Sequence, residues 1–309
     1  MTMNWLNPVR EEFSRRFQAD RLAHAFLLSG QSGTGKLQFA TEMTAALLCL
    51  DNSWPACGKC RSCQLHASGA HPDFRVLSFE QNKSGKLRTE LLIDQVRELI
   101  SFFQLTTTIS KKKAALIYPA EAMNGHAANA LLKTLEEPPG DSVIILLSHD
   151  PARLPVTIIS RCQKLQVRPP GAETALAWLL ESGDFSELEA KTALQAAAGS
   201  PFQAREMLAE GGPGHFQLVN DTLQSTLDGR CTTAGAMTVL GEVEPDRLWT
   251  WLSLSAARRF QKNMGERATA ICLSQLQNTA DRNRALLATP VRKDLLLQDW
   301  LIQWARLGA

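Results

Sequence analysis

Residues 30–37 read Gly-Gln-Ser-Gly-Thr-Gly-Lys-Leu, a phosphate-binding loop complete through its lysine and altered at its last position. In the pattern G-x-x-x-x-G-K-[ST], backbone N–H groups cradle phosphates, the lysine reaches the β/γ-phosphates and the final hydroxyl binds Mg²⁺. Gly30, Gly33, Gly35 and Lys36 supply the cradle, whereas Leu37 offers no oxygen to a metal. Such a loop must follow a buried strand and open a helix, so it predicts an α/β domain. The run Ala25-Phe26-Leu27-Leu28-Ser29 is that strand, and Leu37, Ala40, Met43, Leu47 and Leu50 form the apolar stripe of a helix over 36–50.

The alternation continues. Strands are expected at 74–77, 114–118, 143–147 and 164–167, with helices over 90–103 and 127–136. Strands alternating with helices imply a five-stranded parallel sheet covered on both faces. Arg168-Pro169-Pro170-Gly171 breaks the pattern, and the text becomes helical only. Helices are expected over 172–182 and 186–198, and another starts at Gly199-Ser200-Pro201. Gly211-Gly212-Pro213-Gly214 reads as a linker, followed by four or five helices to Ala309. Trp249, Leu252, Ala256 and Phe260, and again Leu297, Leu301 and Trp304, fall at helical spacing and read as core or subunit interface. The domains expected are 1–167, 168–208 and 209–309.

Charge excludes one class of function. With 33 Lys+Arg against 31 Asp+Glu the formal net charge is only +2, too small for a protein that binds DNA mainly through its own charge. Neither a signal-peptide pattern in residues 1–15 nor an apolar run of spanning length is present, which leads us to expect a reducing cytoplasm. The cysteines agree. Cys57, Cys60 and Cys63 form a C-x₂-C-x₂-C run, and Cys49 stands eight residues before it. Four thiolates can close a tetrahedron around structural Zn²⁺. An iron–sulfur cluster would continue with x₃-C-P, absent here, and metal-free buried thiols are the remaining reading. His66 and His71 are spare ligands or solvated loop histidines. Cys162, Cys231 and Cys272 read as small hydrophobes.

A working site would also need an acid ending a later strand. The strand at 114–118 runs instead into Tyr118-Pro119-Ala120, and Glu121 comes too late unless it has shifted into the role. Lys111-Lys112-Lys113 before that strand reads as a solvated surface run. Nothing supports polymerase or nuclease chemistry.

Asn129–Pro139 reads NALLKTLEEPP, and Ser160-Arg161-Cys162 follows further on. With the four-cysteine insert, these motifs closely resemble bacterial clamp-loader subunits of the AAA+ class over residues 20–205. The resemblance implies an AAA+ P-loop domain, a small helical lid and a helical collar. In that family the motors carry a hydroxyl after the P-loop lysine, an Asp-Glu pair ending the third strand and an arginine just after Gly-Ser-Pro. Here Leu37, Tyr118-Pro119, and Phe202 with Gln203 stand in those places, with Arg205 slightly later. The resemblance therefore implies the ring member that does not hydrolyse ATP, with weak ATP or ADP binding at Gly30, Gly33, Gly35 and Lys36 left open. It implies that Arg161 reaches in trans into a neighbour's ATP site, against the plainer reading of a local salt bridge. The implied partners are motor subunits and the clamp-opening subunit, with sliding clamp and primer–template DNA contacted indirectly. An ATP-hydrolysing motor with substituted ligands and a zinc-dependent DNA- or protein-binding module are the rival readings.

Overall fold

A computed structural model describes residues 2–81, 85, 88–210, 212–287 and 289–308; Gly211 of the expected linker and Ala309 lie outside the described residues. The chain divides into two compact units, Met1–Ser182 with Ser200–Gln203, and Gly183–Gly199 with Ala204–Ala309.

The first unit contains, in chain order, α1 (Asn7–Gln18), β1 (Ala25–Ser29), α2 (Lys36–Leu48), α3 (Arg61–Ala67), β2 (Phe74–Leu77), α4 (Ile93–Gln104), β3 (Lys113–Ile117), α5 (Gly125–Glu136), β4 (Ser142–Ser148), α6 (Val156–Ile159), β5 (Gln163–Gln166) and α7 (Ala172–Glu181). Among the described residues the five strands form one sheet in the order β2-β3-β4-β1-β5, every pair parallel. Leu28 of β1 stands in register with Leu147 of β4 and Leu165 of β5. Parallel strands alternate their side chains between two covered faces, so the inner strands β1, β3 and β4 are largely apolar, whereas the edge strands β2 (FRVL) and β5 (QKLQ) keep polar residues. Ala25, Leu27, Ile144 and Leu146 pack on one face with α4 and α5. Phe26, Leu28, Ile145 and Leu147 pack on the other, with Phe13 of α1 and Phe39 and Met43 of α2.

The differences from the sequence reading have local causes. The helix expected to run to residue 50 stops at Leu48, because Ser62 and Ser110 hydroxyls donate to the Leu48 carbonyl at 2.6 and 2.7 Å, and Cys49 turns extended. α4 starts at Ile93 rather than at residue 90, where the Gln95 side chain accepts the Leu92 N–H at 2.9 Å. The lysine run is not all solvated. Lys113 opens β3 at 4% exposure, with its ammonium donating to the Phe102 carbonyl at 2.6 Å and lying 4.1 Å from the Phe102 ring centre.

The second unit holds α8 (Glu187–Ala196), most of α9 (Pro201–Ala209), α10 (Gly214–Leu227), α11 (Thr233–Leu240), α12 (Pro245–Lys262), α13 (Arg267–Leu286) and α14 (Lys293–Ala305). Trp249, Leu252 and Ala256 are buried, as are Leu297, Leu301 and Trp304, so both stripes are core. A buried indole needs a partner for its N–H. Trp251 donates to Ala196, Trp300 to Leu276 and Trp304 to Leu223, at 2.9–3.1 Å.

Candidate functional site

β1 delivers the chain to the 30–37 loop at the carboxyl end of the sheet, between β4 and β5, where open α/β sheets hold their ligands. Two glycines are sterically required. A Cβ on Gly30 (φ +148°) would lie 2.2 Å from the Val167 carbonyl oxygen, and one on Gly33 (φ +67°) would lie 2.1 Å from Ser200 Oγ. Gly35, left-handed, caps α2. Lys36 is 3% exposed and its ammonium donates to the carbonyls of Gly30 and Gln31, both at 2.6 Å. Burial brings its pKa down to about 8, with the Glu121 carboxylate opposing the shift. Leu37 is 38% exposed and supplies no oxygen.

Other residues close over the loop. Ser200 Oγ and the Phe202 N–H both donate to the Gly33 carbonyl, at 3.0 and 3.2 Å, and Gln203 Nε2 donates to Ser32 Oγ at 3.3 Å. The Trp5 indole N–H donates to the Thr34 carbonyl at 2.8 Å. Phe202 packs on Trp178, ring centres 4.9 Å apart, and Trp178 meets Trp5 edge-on at 5.6 Å. Phe202 thus adds aromatic surface beside the loop.

Spacing along the chain set Glu121 aside, but the fold does not. The turn after β3 carries Glu121 back to the end of β4, where Oε1 accepts the His149 N–H at 2.9 Å. Burial works against its charge, yet backbone N–H groups of Glu121 and His149 hold the carboxyl below the usual carboxylate range. Its Oε2 is buried without a hydrogen-bond partner among the described residues. Lys36, Glu121 and His149 therefore share one electrostatic environment, in which burial, then Lys36, lowers the His149 pKa. One carboxylate lies in the field of the lysine, and Leu37 has no side-chain oxygen to help complete a metal shell.

Arg161 stands between α6 and β5. Its guanidinium donates to the Thr157 carbonyl at 2.9 Å and pairs with Glu136 at the end of α5. The two side chains are 34% and 49% exposed, and an ion pair this open contributes at most about 1 kcal/mol. The adjacent Cys162 is buried, which pushes its thiol up to about 12.

The four insert cysteines come together: Cys49, Cys57, Cys60 and Cys63 place their sulfurs within 4.8 Å of one another. Cys57 and Cys63 Sγ are 3.9 Å apart, close to the roughly 3.8 Å edge of a tetrahedron with metal–sulfur bonds of about 2.3 Å. The N–H groups of Cys60 and Cys63 donate to the sulfurs of Cys57 and Cys60 at 3.4 and 3.5 Å. Cys60 thereby caps α3, a helix that sequence periodicity did not reveal because it is only seven residues long and buries Ser62, Cys63 and His66 rather than an apolar stripe. Four converging sulfurs can hold a metal ion, and the soft donor set suits Zn²⁺.

His66 and His71 are neither spare ligands nor solvated. Both are buried; His66 Nε2 lies 2.8 Å from Thr44 Oγ1, and His71 Nε2 lies 2.8 Å from Ser62 Oγ. His71 Nδ1 accepts the Asp73 N–H at 3.0 Å, which leaves its proton on Nε2. Burial, with His71 nearby, lowers His66 to about 4. These polar side chains fasten the insert to α2 and to the segment before β3.

A family described as DNA polymerase III, delta subunit matches residues 6–171. The DNA polymerase III subunit delta' of Pseudomonas aeruginosa is 34% identical over 92% of this chain and 92% of its own length. The subunit delta' of Escherichia coli is 34% identical over 67% of this chain and 64% of its own. The crystal structure of a DNA polymerase III gamma subunit-related protein from Thermotoga maritima aligns with 97% of this chain and 99% of that one, with a TM-score of 0.49 and 16% identity.

Proposed function

The chain belongs to the DNA polymerase III delta-prime family, and from that premise we propose that it is the non-hydrolysing subunit of a clamp loader that serves DNA replication in the bacterial cytoplasm. In this reading it lends Arg161 to the ATP site of a neighbouring motor subunit of the tau/gamma kind. It also joins the clamp-opening delta subunit in a hetero-oligomeric ring, and reaches the sliding clamp and primer–template DNA only indirectly. The parts are an AAA+ domain over 1–167, a lid over 168–208 and a collar over 209–309.

The observation that carries the reading is the loss of the metal-side hydroxyl at Leu37 and of a strand-end acid at Tyr118-Pro119 around an intact loop, with Glu121 the one carboxylate brought near Lys36. Leu37 and Tyr118-Pro119 replace the two groups that would hold Mg²⁺, while Lys36 is spent on the carbonyls of Gly30 and Gln31. Gly30, Gly33, Gly35 and Lys36 then maintain the loop as a vestigial or weak nucleotide site. Arg161 supports the complementary half. Its half-exposed pair with Glu136 is weak enough to exchange for a phosphoryl oxygen. A guanidinium placed against a transferring phosphoryl group is worth about 10³–10⁵ in rate. Cys49, Cys57, Cys60 and Cys63 hold structural zinc, which supplies cross-linking of the insert and no open coordination position.

The test is reconstitution with motor and delta subunits. Arg161→Ala should lower ATP turnover with assembly intact, whereas Glu136→Ala should leave turnover near wild type; unchanged turnover for Arg161→Ala would sink the finger role. For the isolated chain, Mg·ATP turnover abolished by Lys36→Ala would overturn the non-hydrolysing reading.

A further inference from the structure

The second unit carries a cation-lined cavity that the clamp-loader reading does not use. It measures about 310 Å³ and lies between α10 and α12, with Leu223 and Trp304 among its lining residues. Arg258, Arg259 and Lys262 come from the last turns of α12, facing Asn220, Asp221 and Gln224 of α10. Three cations against one carboxylate leave the lining at a formal +2, matched by a dianion.

Complementing the helix dipole accounts for Arg259 and Lys262, which sit in the last turn of α12. It does not account for Arg258. That guanidinium is partly buried, lies 5.3 Å from the Phe216 ring centre, and donates to the Gln195 carbonyl at 2.6 Å. Among the described residues no carboxylate comes within ion-pair distance of it. Burial lowers its pKa and no anion opposes the shift. A cation taken partly out of water with a carbonyl and a ring face but no carboxylate is incompletely neutralised, and an anion entering the cavity would relieve it. Asn220 adds to the fit. Its side-chain amide lines the cavity, and Ser255 Oγ, which donates to the Trp251 carbonyl at 2.8 Å, stands 3.2 Å from its Oδ1.

We propose that this cavity is a phosphate-binding site, taking inorganic phosphate or the terminal phosphate of a phosphate ester. A phosphate monoester carries about −1.5 to −2 charge at pH 7, and guanidinium forks match its oxygens. The volume exceeds that of the anion alone and leaves room for part of the attached group.

The experiment uses the full chain in a Lys36→Ala background, so that the P-loop does not contribute. Inorganic phosphate, a 5′-phosphorylated oligonucleotide and its unphosphorylated counterpart are titrated calorimetrically at matched ionic strength. Saturable binding of phosphate, weakened at least tenfold by Arg259→Gln with Lys262→Gln and strengthened severalfold by Asp221→Asn, is the result expected. All three substitutions spare Arg258 and its anchoring bond. Tighter binding of the 5′-phosphorylated strand would identify a nucleic-acid end as the source, and equal binding free phosphate. No saturable phosphate binding, or binding unmoved by these substitutions, would overturn the site. So would capture of an acidic peptide by a chain that ignores phosphate.

Discussion

Asp73 offers the sharpest test of how the site is held together. It is fully buried just before β2, and its carboxylate accepts three backbone N–H groups: Thr108 at 2.7 Å, Ile109 at 2.7 Å and Ser110 at 2.9 Å. Burial alone would raise its pKa, but those three donors outweigh it and hold the carboxyl below the usual range. Through Ser110 the carboxylate also fixes the hydroxyl that donates to the Leu48 carbonyl and ends α2. Asp73→Ala leaves the three donors without their acceptor. Thr108 is exposed and can turn to water, Ile109 is half-buried, and Ser110 is buried. A stranded buried N–H costs about 1–3 kcal/mol and a bond to a charged group contributes about 1.5–3, so the sum should be about 4 kcal/mol. Urea unfolding at pH 7 measures it, and amide exchange at 108–110 should accelerate more than elsewhere in the sheet. Asp94→Ala is the control. It breaks an ion pair whose side chains are 65% and 78% exposed, and should change stability by less than about 0.5 kcal/mol. A loss below about 1 kcal/mol for Asp73→Ala, with exchange at 108–110 unaltered, would refute the view that this carboxylate anchors the segment.

Further outcomes are expected. Because His66 titrates near 4 in the folded chain against an ordinary 6.5, the unfolded chain takes up the proton first. Stability should thus be intact above pH 6.5 and fall progressively towards pH 4, by about 2 kcal/mol, in denaturant midpoints measured across that range. Gly33→Ala should destabilise by about 1–3 kcal/mol through its left-handed backbone and its 2.1 Å clash. Adding Ser200→Gly removes the 2.1 Å contact but also the Ser200–Gly33 hydrogen bond and leaves Gln203 Cγ at 2.9 Å, so the double variant should stay below wild type in the same urea assay. Chelation of the zinc proposed for Cys49, Cys57, Cys60 and Cys63 should loosen residues 49–63, read by amide exchange and thiol titration, while the sheet persists. Collapse of the sheet with the insert would contradict the division between site and scaffold. Trp300→Ala removes a ring stacked 5.2 Å from Trp304 and should cost about 3–5 kcal/mol in thermal or urea unfolding.

Much of this was legible along the chain because its signals are local. β1, β2 and the start of α2 fall where apolar runs and glycines put them, since a buried parallel strand must be apolar and the loop must be glycine-rich. The Cys49, Cys57, Cys60 and Cys63 set was readable because ligand spacing is itself a local constraint. Spacing was silent about groups brought in from afar. Glu121 was judged too distant, yet a single turn after β3 places its carboxylate in the field of Lys36. His66, His71 and Lys113 read as surface residues, and only the packed fold buries each beside a specific acceptor or donor. The sequence by itself determined the sheet, the loop and the missing hydroxyl at Leu37, because chain periodicity and residue type carry that information. The tertiary structure alone decided that Ser200, Phe202 and Trp5 bond to the loop's carbonyls and that Arg161 rests on Glu136. Those contacts join residues 25 to 169 positions apart, and a hydrogen bond at that separation is specified by packing geometry that no local pattern encodes.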